Sequence, residues 1–365
     1  MAVVTDSVEE QIGALAEKVA MAAIGALELL TVELGVRLGL YDALASGPAT
    51  PTELAKRAGI DARYAREWLE QQATAGLVAI DADPVRGGDA DDRVFSLPIA
   101  TAACLLDPES LAHVAPMAKL AVAAPERFDD VVAAYRAGTG LTFGAYGDGV
   151  REFQAGANRP QFVNLLASEW LPAMPDVVAA LERGARVADV ACGCGWSSIA
   201  FGRAFPAVTV DGYDLDEASI ADAARNAAAE GLSDRLQFAV RDAADAPAGT
   251  YDLVCCFEAL HDLPRPVEAL RAMRSMVAPG GTVFIVDERA ADELTANDPD
   301  PMQHLFYAAS TLHCLLVGRS EEDGVGTGTV MRTATLERYA HEAGFTSVDV
   351  LPIEHMSFRF YRLAS

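Results

Sequence analysis

The chain has 365 residues, enough for two or more domains, and its 51% hydrophobic and 22% charged residues are typical of a globular protein. Its formal net charge of -25 argues against nonspecific binding to nucleic acid or to an anionic membrane, because both need a basic surface. The six cysteines form no Cys-x-x-Cys pair, which favours a reducing compartment over a disulfide framework. No basic segment followed by an apolar core opens the sequence, so we expect a cytoplasmic protein without a signal peptide.

The first element is a long helix. Residues 5–40 carry apolar side chains at helical spacing. The most apolar run, 19–38, includes Glu28, Glu33 and Arg37. Charges at that density predict a buried or interfacial helix, not a membrane span, and we expect no membrane association.

A compact module follows the long helix. Residues 50–58 and 62–75 are predicted to be helices, with Thr50 or Thr52 as the first N-cap and Pro51 in its first turn. Two short strands, 77–80 and 94–97, flank a polar stretch that contains Gly87-Gly88. A helix, a turn, a second helix and a two-stranded wing predict a winged-helix module.

Charge decides whether this module is expected to bind DNA. Its second helix carries Arg63 and Arg66 together with Glu67 and Glu70. The acidic residues of the wing are Asp81, Asp83, Asp89, Asp91 and Asp92. Contacts to phosphates and bases need the opposite sign, so we predict no nucleic-acid partner.

Residues 108–184 are predicted to form helices with breaks. A loop at 138–149, rich in glycine, holds Phe143 and Tyr146. These aromatic side chains either roof a substrate or fasten the connecting helices to the next domain.

Strands and helices alternate from Arg186 onward. Strands are predicted at 187–190, 208–213, 236–240, 253–256 and 283–286, with helices at 197–204, 218–229, 265–276 and 334–343. This alternation predicts a doubly wound parallel sheet. Two last strands, at 348–351 and 358–363, are joined by a loop too short for a crossover helix, so that pair is predicted to be antiparallel.

A glycine-containing turn joins the first of these strands to its helix. Gly193 and Gly195 allow a backbone to approach a nucleoside-type ligand beside a helix N-terminus. The third glycine of the dinucleotide fingerprint is replaced by Ser198, which disfavours a pyrophosphate cofactor. Asp189, just before the turn, repels phosphate and suits an ammonium or sulfonium group. An ordinary strand-to-helix turn is the alternative.

Three aspartates are predicted at the carboxyl ends of successive strands. Asp189 ends the first strand, Asp214 the second, and Asp242 follows the third. Ligands of open α/β sheets bind at that edge. Asp214 is placed to accept two ribose hydroxyl groups, and Asp242 to accept from an adenine amino group.

The order of these motifs resembles a known family. Asp-Val-Ala-Cys-Gly-Cys-Gly, Gly-Tyr-Asp-Leu-Asp, Arg-Asp-Ala, Tyr-Asp-Leu-Val and Ala-Pro-Gly-Gly-Thr-Val, over 186–288, resemble class I methyltransferases that use S-adenosylmethionine. The winged helix and helical connector resemble plant-type and bacterial natural-product O-methyltransferases, in which the winged helix mediates homodimerisation. The complete chain also resembles bacterial methyltransferase-like regulatory proteins.

The resemblance implies an α/β fold in which a doubly wound, seven-stranded, Rossmann-like methyltransferase sheet follows an N-terminal α-helical winged-helix domain. It implies that S-adenosylmethionine is the cofactor. It implies that the methionine end of the cofactor lies near Asp189, Ala191, Gly193 and Gly195, with the sulfonium beside Phe257. The ribose and adenosine are then expected at Asp214 and Leu215, and the adenine near Asp242 and Ala243.

His261 is the candidate catalytic residue. Plant-type O-methyltransferases carry His-Asp-Trp here, with the His as general base, and this chain has His261-Asp262-Leu263. A neutral imidazole of ordinary pKa would take a hydroxyl proton, oriented by Asp287 or, alternatively, Glu288. Catalysis by proximity alone is the rival hypothesis. His313, Cys314 and Arg332 are candidates for the acceptor pocket, and no metal is expected.

The predicted domains are a winged-helix dimerisation domain at 1–107, a helical connector and substrate lid at 108–184, and a cofactor-binding domain at 185–365. The predicted function is methyl transfer to a small, hydroxylated or aromatic acceptor, most simply to oxygen. N- or C-methylation is the alternative, as is a winged-helix regulator that senses S-adenosylmethionine or a metabolite. We expect a homodimer formed through the N-terminal domain.

Overall fold

The computed structural model describes residues 7–82, 90–245 and 250–364, and the chain forms two compact units, 1–125 and 126–365. The predicted wing tip with Gly87-Gly88, together with Asp83 and Asp89, lies outside the described residues.

The first unit is mainly helical. Its elements are α1 (Val8–Arg37), α2 (Leu40–Ala45), α3 (Pro51–Ala58), α4 (Ala62–Thr74), β1 (Ala79–Ala82), β2 (Val94–Ser96), α5 (Ile99–Leu105) and α6 (Ala115–Ala123). β1 and β2 pair antiparallel, with Ile80 opposite Phe95. The helix pair α3–α4 followed by this two-stranded wing confirms the predicted winged-helix module.

Local signals explain where α3 and α4 begin. The Thr50 hydroxyl accepts from the Glu53 amide, and the Glu53 carboxylate accepts from the Thr50 amide, which completes a capping box. Gly59 ends α3 in the left-handed region, with φ +71°. The Asp61 carboxylate then caps α4 by accepting from the Arg63 amide at 2.8 Å.

The C-terminal part of α1 packs closely against α4. A Cβ on Gly35 would lie 2.6 Å from the Trp68 ring and 2.7 Å from the Tyr41 ring, so only glycine permits this approach. The Trp68 indole donates to the Thr31 carbonyl at 3.0 Å. The Tyr41 hydroxyl donates to the Gln72 side chain at 2.5 Å in the same buried cluster.

Within this unit the N-terminal part of α1 exposes apolar side chains. Four of them follow a helical stripe with exposed fractions of 62–71%: Val8, Ile12, Leu15 and Val19. By length and composition α1 is also apolar enough to cross a bilayer, a test that core helices and leader helices pass as well.

The second unit alternates strands and helices. Its helices are α7 (Phe128–Ala137), α8 (Asp148–Leu165), α9 (Pro175–Glu182), α10 (Trp196–Ala204), α11 (Glu217–Ala229), α12 (Pro266–Met276), α13 (Pro301–Ala309), α14 (Leu315–Val317) and α15 (Thr333–Ala343). Its strands are β3 (Arg186–Val190), β4 (Thr209–Asp214), β5 (Leu236–Val240), β6 (Tyr251–Phe257), β7 (Val277–Glu288), β8 (Ser347–Val350) and β9 (Phe358–Ala364).

These strands form one seven-stranded sheet in the order β5-β4-β3-β6-β7-β9-β8. The strands β3 to β7 are parallel, and β9 pairs antiparallel with both β7 and β8, which confirms the predicted sheet and its closing pair. The chain passes from β3 to β4 on one side and later to β6 on the other. This switch point places the carboxyl ends of β3, β4 and β6 around one crevice.

Helices cover both faces of the sheet, so its central strands are apolar on both sides. One face holds Phe201, Phe257 and Phe360 among its buried residues. The other face holds Val190, Met273 and Tyr361. The rigid centre fixes the strand ends that carry the site.

Candidate active site

A cavity of about 410 Å³ lies at the carboxyl ends of β3, β4 and β6, within the second unit. Its walls come from the turn after β3, residues 214–216 at the end of β4, residues 241–243 after β5 and residues 257–259 at the end of β6. One side of α8 closes it. The residues of α8 that line it share one face of the helix: Arg151, Gln154, Ala155, Asn158 and Phe162.

The two predicted glycines play different parts in the turn. Gly193 has φ +51°, and a Cβ there would meet nothing within 4 Å, so its backbone borders open space in the cavity. Gly195 has φ +79°, and a Cβ there would lie 2.9 Å from the Ala223 side chain and 3.0 Å from the Phe238 ring. Gly195 therefore allows α10 to pack against the sheet, in the turn that presents Gly193.

Asp214 holds this turn from the neighbouring strand. Its Oδ2 accepts from the Gly193 amide at 2.8 Å, and its Oδ1 accepts from the Asp216 amide at 2.8 Å. Burial raises the pKa of the carboxyl group, although these amide hydrogen bonds oppose the shift. Asp214 lines the cavity, so its carboxylate is available to a polar ligand group.

Asp189 lies behind the turn and not in the cavity wall. Its side chain is 1% exposed, and its Oδ2 accepts from the hydroxyl groups of Ser197 and Ser198 at 2.6 Å each. Burial raises its pKa to about 6, against the effect of the two serine hydrogen bonds. Through Oδ2 the carboxylate fastens the start of α10 to the end of β3, whereas its Oδ1 has no hydrogen-bond partner among the described residues. Its expected place near the methionine end of the cofactor stays a prediction.

Seven of the nine residues predicted to bind the cofactor line the cavity: Ala191, Gly193, Asp214, Leu215, Asp242, Ala243 and Phe257. Asp189 and Gly195 support them from behind. The Asp242 Oδ2 accepts from Arg265 at 2.6 Å, and its Oδ1 accepts from the Ala244 amide at 2.8 Å, which fixes its side chain at the cavity edge.

His261 lies in a short 3₁₀ turn, Leu260–Asp262, and is 2% exposed. Its Nδ1 lies 2.8 Å from the Asp287 Oδ1 and 2.9 Å from the Glu288 Oε2, and its Nε2 lies 3.2 Å from the Asp262 Oδ1. Burial alone lowers the pKa of the imidazole, but the three carboxyl groups outweigh burial and raise it well above its ordinary value.

Two observations stand against the expected neutral imidazole beside the acceptor, whose role as a base stays a prediction. His261 does not line the cavity, whereas its neighbour Asp262 does. Both ring nitrogens face carboxyl oxygens, which favours the imidazolium form. Asp287 holds the predicted orienting position, and Glu288 shares the same nitrogen.

The donor atoms of His261, Asp287 and Glu288 lie within 4.8 Å of one another, a spacing that also suits a metal ion. An imidazolium offsets the Asp287 carboxylate, and burial raises the pKa of Glu288 to about 8, which disfavours a second negative charge there at neutral pH. We propose no metal at this position.

The three other acceptor-pocket candidates lie off the cavity. His313, Cys314 and Arg332 are not among the residues that line it. His313 instead packs against Tyr146, with ring centroids 4.4 Å apart, and against Phe143 at 5.8 Å. Of these aromatic residues Phe143 lines the cavity, so the loop contributes one ring to its wall.

Glu258 and Asn158 are two of the cavity residues to which the sequence analysis assigned no role. Glu258 directly follows β6 and has φ +52°, an uncommon conformation for a side chain of this kind. Asn158 belongs to the polar side of α8, which shows in the sequence as polar residues at helical spacing. Only the fold brings that helix over the sheet edge.

Two family models match the chain. A model described as a methyltransferase domain matches residues 162–350, just over half of the chain, and one described as an Rv2258c-like winged HTH domain matches residues 25–106. The chain is 28% identical over 206 residues to the ubiquinone biosynthesis O-methyltransferase of Pseudomonas syringae pv. tomato, a match that covers 56% of this chain and 81% of that protein.

Solved structures share the fold over almost the whole chain. The mitomycin 7-O-methyltransferase MmcR superposes with a TM-score of 0.69 at 21% identity, covering 98% of this chain and 99% of that one. Human N-acetylserotonin methyltransferase, solved in complex with S-adenosylmethionine, gives 0.63 at 16% identity and covers 100% of both chains. The chain belongs to the methyltransferase domain family, and it carries an Rv2258c-like winged helix-turn-helix domain ahead of the methyltransferase fold.

Proposed function

We propose that the protein transfers the methyl group of S-adenosylmethionine to a hydroxyl group of a small molecule. The observation that carries this proposal is the position of Asp214. Its carboxylate lines the cavity, while the backbone amides of Gly193 and Asp216 hold it in place. A fixed carboxylate beside an open glycine turn suits the hydroxyl groups of a ribose.

The remaining walls fit the other parts of the cofactor. Asp242 and Ala243 border one end of the cavity, where an adenine amino group finds an acceptor. Phe162 and Phe257 border it beyond the turn, with ring centroids 5.5 Å apart, and aromatic faces attract a sulfonium cation. When bound, the cofactor supplies an activated methyl group, and the chain orients it and excludes water.

The size of the cavity supports a small acceptor. About 410 Å³ lies within the range of small-molecule sites. Gln154 and Asn158 on α8 offer amide groups to a polar acceptor. Oxygen is the favoured acceptor atom, and transfer to nitrogen or carbon is the alternative. The six free thiols support a reducing compartment, and we propose the cytoplasm.

Calorimetry with S-adenosylmethionine and S-adenosylhomocysteine tests the cofactor assignment. Asp214→Asn is expected to weaken binding about 10- to 150-fold, the worth of a hydrogen bond to a charged group. Asp211→Asn, on the same strand but paired with Arg186 outside the cavity wall, is the matched control and is expected to bind normally. Absence of binding at millimolar concentration to well-folded wild-type protein would refute the proposal.

A transfer assay then tests the acceptor class. Wild-type protein is incubated with methyl-labelled cofactor and a panel of small acceptors that carry phenol, amine or acidic carbon groups, including N-acetylserotonin. We expect label in the phenols first. Label in amines or carbon acids alone would favour the alternative reaction.

We also propose that the protein is a homodimer formed through its N-terminal unit. The exposed stripe Val8, Ile12, Leu15 and Val19 supports this, because apolar stripes of this length are normally covered by another surface. Light scattering is expected to give twice the chain mass. Leu15→Glu with Val19→Glu is expected to give the single mass, and Glu17→Gln on the same helix is the control.

A further inference from the structure

Glu258 is a buried acid at the cavity wall, and one of its carboxyl oxygens has no hydrogen-bond or ion-pair partner among the described residues. It follows Phe257 at the end of β6, and its amide donates to the Val286 carbonyl at 2.7 Å, so its backbone is fixed. Its Oε1 is buried, with neither a hydrogen bond nor an ion pair among the described residues. A polar atom buried without a partner costs free energy and points to a missing ligand group.

The other acids that line the described cavity each have at least one oxygen in a hydrogen bond or an ion pair. Asp214 accepts from two amides, Asp216 caps α11 through the Ser219 amide, and Asp242 accepts from Arg265. The remaining two are each ion-paired, Asp262 with His261 and Glu321 with Arg265. Among these acids Glu258 is the one with a buried carboxyl oxygen that has neither a hydrogen bond nor an ion pair.

Several charged groups face Glu258. Glu288 and Asp287 on β7 repel its negative charge, and the His261 imidazolium in the following turn attracts it. From α8 the Asn158 side chain hydrogen-bonds the carboxyl group. Burial, with Glu288 second, raises the pKa of Glu258 well above its ordinary value, and Asn158 and His261 oppose the shift. The neighbouring groups therefore act in opposite directions on the ionisation of Glu258.

We propose that Glu258 takes the proton of the acceptor hydroxyl group, and that a sulfonium cation in the cavity favours the ionised form of Glu258. The proposal rests on the proposed function. In the step, the acceptor oxygen forms a bond to the methyl carbon, the carbon–sulfur bond breaks with its electron pair on sulfur, and the hydroxyl proton moves to the Glu258 carboxylate.

This assignment changes the part played by His261. Its nitrogens face Asp262, Asp287 and Glu288, so it does not touch the acceptor. Its positive charge offsets the neighbouring acids and keeps an ionised Glu258 accessible. His261 is thus a positioning residue, and Glu258 is the catalytic residue.

Proton release on binding tests the proposal without an acceptor. Calorimetry at neutral pH, in two buffers of different ionisation enthalpy, counts the protons released by S-adenosylmethionine and by S-adenosylhomocysteine. The two ligands differ in the charge on sulfur. We expect the cationic ligand to release more, by up to one proton per site, because a nearby cation favours the carboxylate.

Variants assign that proton to a residue. Glu258→Gln is expected to reduce the difference between the two ligands to less than half, and exposed Glu268→Gln on α12 is expected to keep it. An unchanged difference in Glu258→Gln would overturn the proposal. If Glu258→Gln does not fold, infrared difference spectra of the wild-type protein take its place. Loss of a protonated-carboxyl band when the cationic ligand binds supports the proposal. An unchanged band overturns it.

The pH profile adds a second readout with any phenol that the transfer assay identifies. In wild-type protein kcat is expected to rise with pH as Glu258 ionises. Glu258→Gln is expected to lower kcat about 100-fold or more and to lose that rise, with Kd for S-adenosylhomocysteine nearly unchanged. If neither nucleoside binds wild-type protein, the proposed function itself fails. If both bind and Glu258→Gln keeps kcat and its pH profile, only the role of Glu258 fails.

Discussion

The Nδ1 atom of His261 lies 2.8 Å from the Oδ1 atom of Asp287, and both side chains are at most 2% exposed. A buried pair of this kind is costly to break, because the remaining charge loses its partner without regaining water. The pair joins the turn after β6 to the end of β7. It therefore couples the stability of the sheet edge to the protonation of one imidazole.

Removing the imidazole tests this coupling. His261→Ala is expected to lower the free energy of unfolding by about 3–5 kcal/mol, since Asp287 and its neighbours lose their counter-charge. Urea denaturation followed by circular dichroism measures the change. His304→Ala, an exposed histidine on α13, is expected to change it by less than about 0.5 kcal/mol. Equal losses in the two variants would contradict a buried charge cluster.

Stability is expected to fall as pH rises. Burial and Asp287 raise the pKa of Glu288 from 4.5 to about 8, so the folded chain binds its proton more tightly than the unfolded chain. Its contribution declines between those two values. The raised pKa of His261 acts with the same sign. Its contribution is complete below the unfolded pKa of about 6.5 and declines as the pH rises from there through the higher folded pKa.

Thermal or urea unfolding from pH 5 to pH 9 measures this dependence. Glu288→Gln is expected to flatten the curve between about pH 5 and 8, whereas Glu268→Gln on the surface is expected to leave it unchanged. A wild-type stability that rises across this range would show that the cluster is ionised differently.

Substitutions at the two glycines of the turn are expected to have different main effects, one on stability and the other on ligand affinity. Gly195→Ala places a Cβ 2.9 Å from Ala223 and retains φ +79°, so we expect a loss of about 2–4 kcal/mol in unfolding free energy. Gly193→Ala meets no atom within 4 Å and is expected to cost only about 1 kcal/mol. Its Cβ borders the cavity, so its main effect is expected on nucleoside affinity.

Denaturation and calorimetry on both variants decide between these effects. We expect Gly195→Ala to lose more unfolding free energy than Gly193→Ala. Among folded molecules, we expect Gly193→Ala to lose more affinity for the nucleoside than Gly195→Ala. The reverse pattern would mean that Gly195, and not Gly193, borders the ligand.

The winged-helix module is expected to bind DNA weakly or not at all. On α4, Arg63 is ion-paired with Glu67, and Arg66 lies 3.1 Å from Asp91. Phosphate contacts would have to break both pairs. Gel-shift titration at several salt concentrations measures the affinity. Glu67→Lys with Glu70→Lys is expected to raise any salt-sensitive binding, and tight binding by wild-type protein would favour a regulatory role.

Much of the fold follows from short-range patterns. The alternation after Arg186 predicted the parallel strands, because each buried run and each amphipathic helix shows its own period in the sequence. Thr50 and Pro51 marked the start of α3 for a similar reason, since a capping box involves only residues three apart. The antiparallel pairing of β8 and β9 followed from the length of one loop.

The site was predictable where backbone geometry dictates the residue. Gly193 and Asp214 lie at strand ends in a parallel sheet, so their proximity follows from the fold class, and both line the cavity. Asp189 also lies at a strand end of the parallel sheet, but its carboxylate accepts hydrogen bonds from Ser197 and Ser198 behind the turn. Which side of a strand end faces the ligand depends on side-chain direction, and periodicity alone does not distinguish the two sides.

The sequence by itself determined the order of strands and helices, the glycine turn and the acids at the sheet edge, because each depends on neighbours along the chain. Tertiary structure alone decided the environments of His261 and Glu258. Those depend on Asp287 and Glu288 from β7 and on Asn158 from α8, groups distant in sequence that burial brings into one low-dielectric cluster.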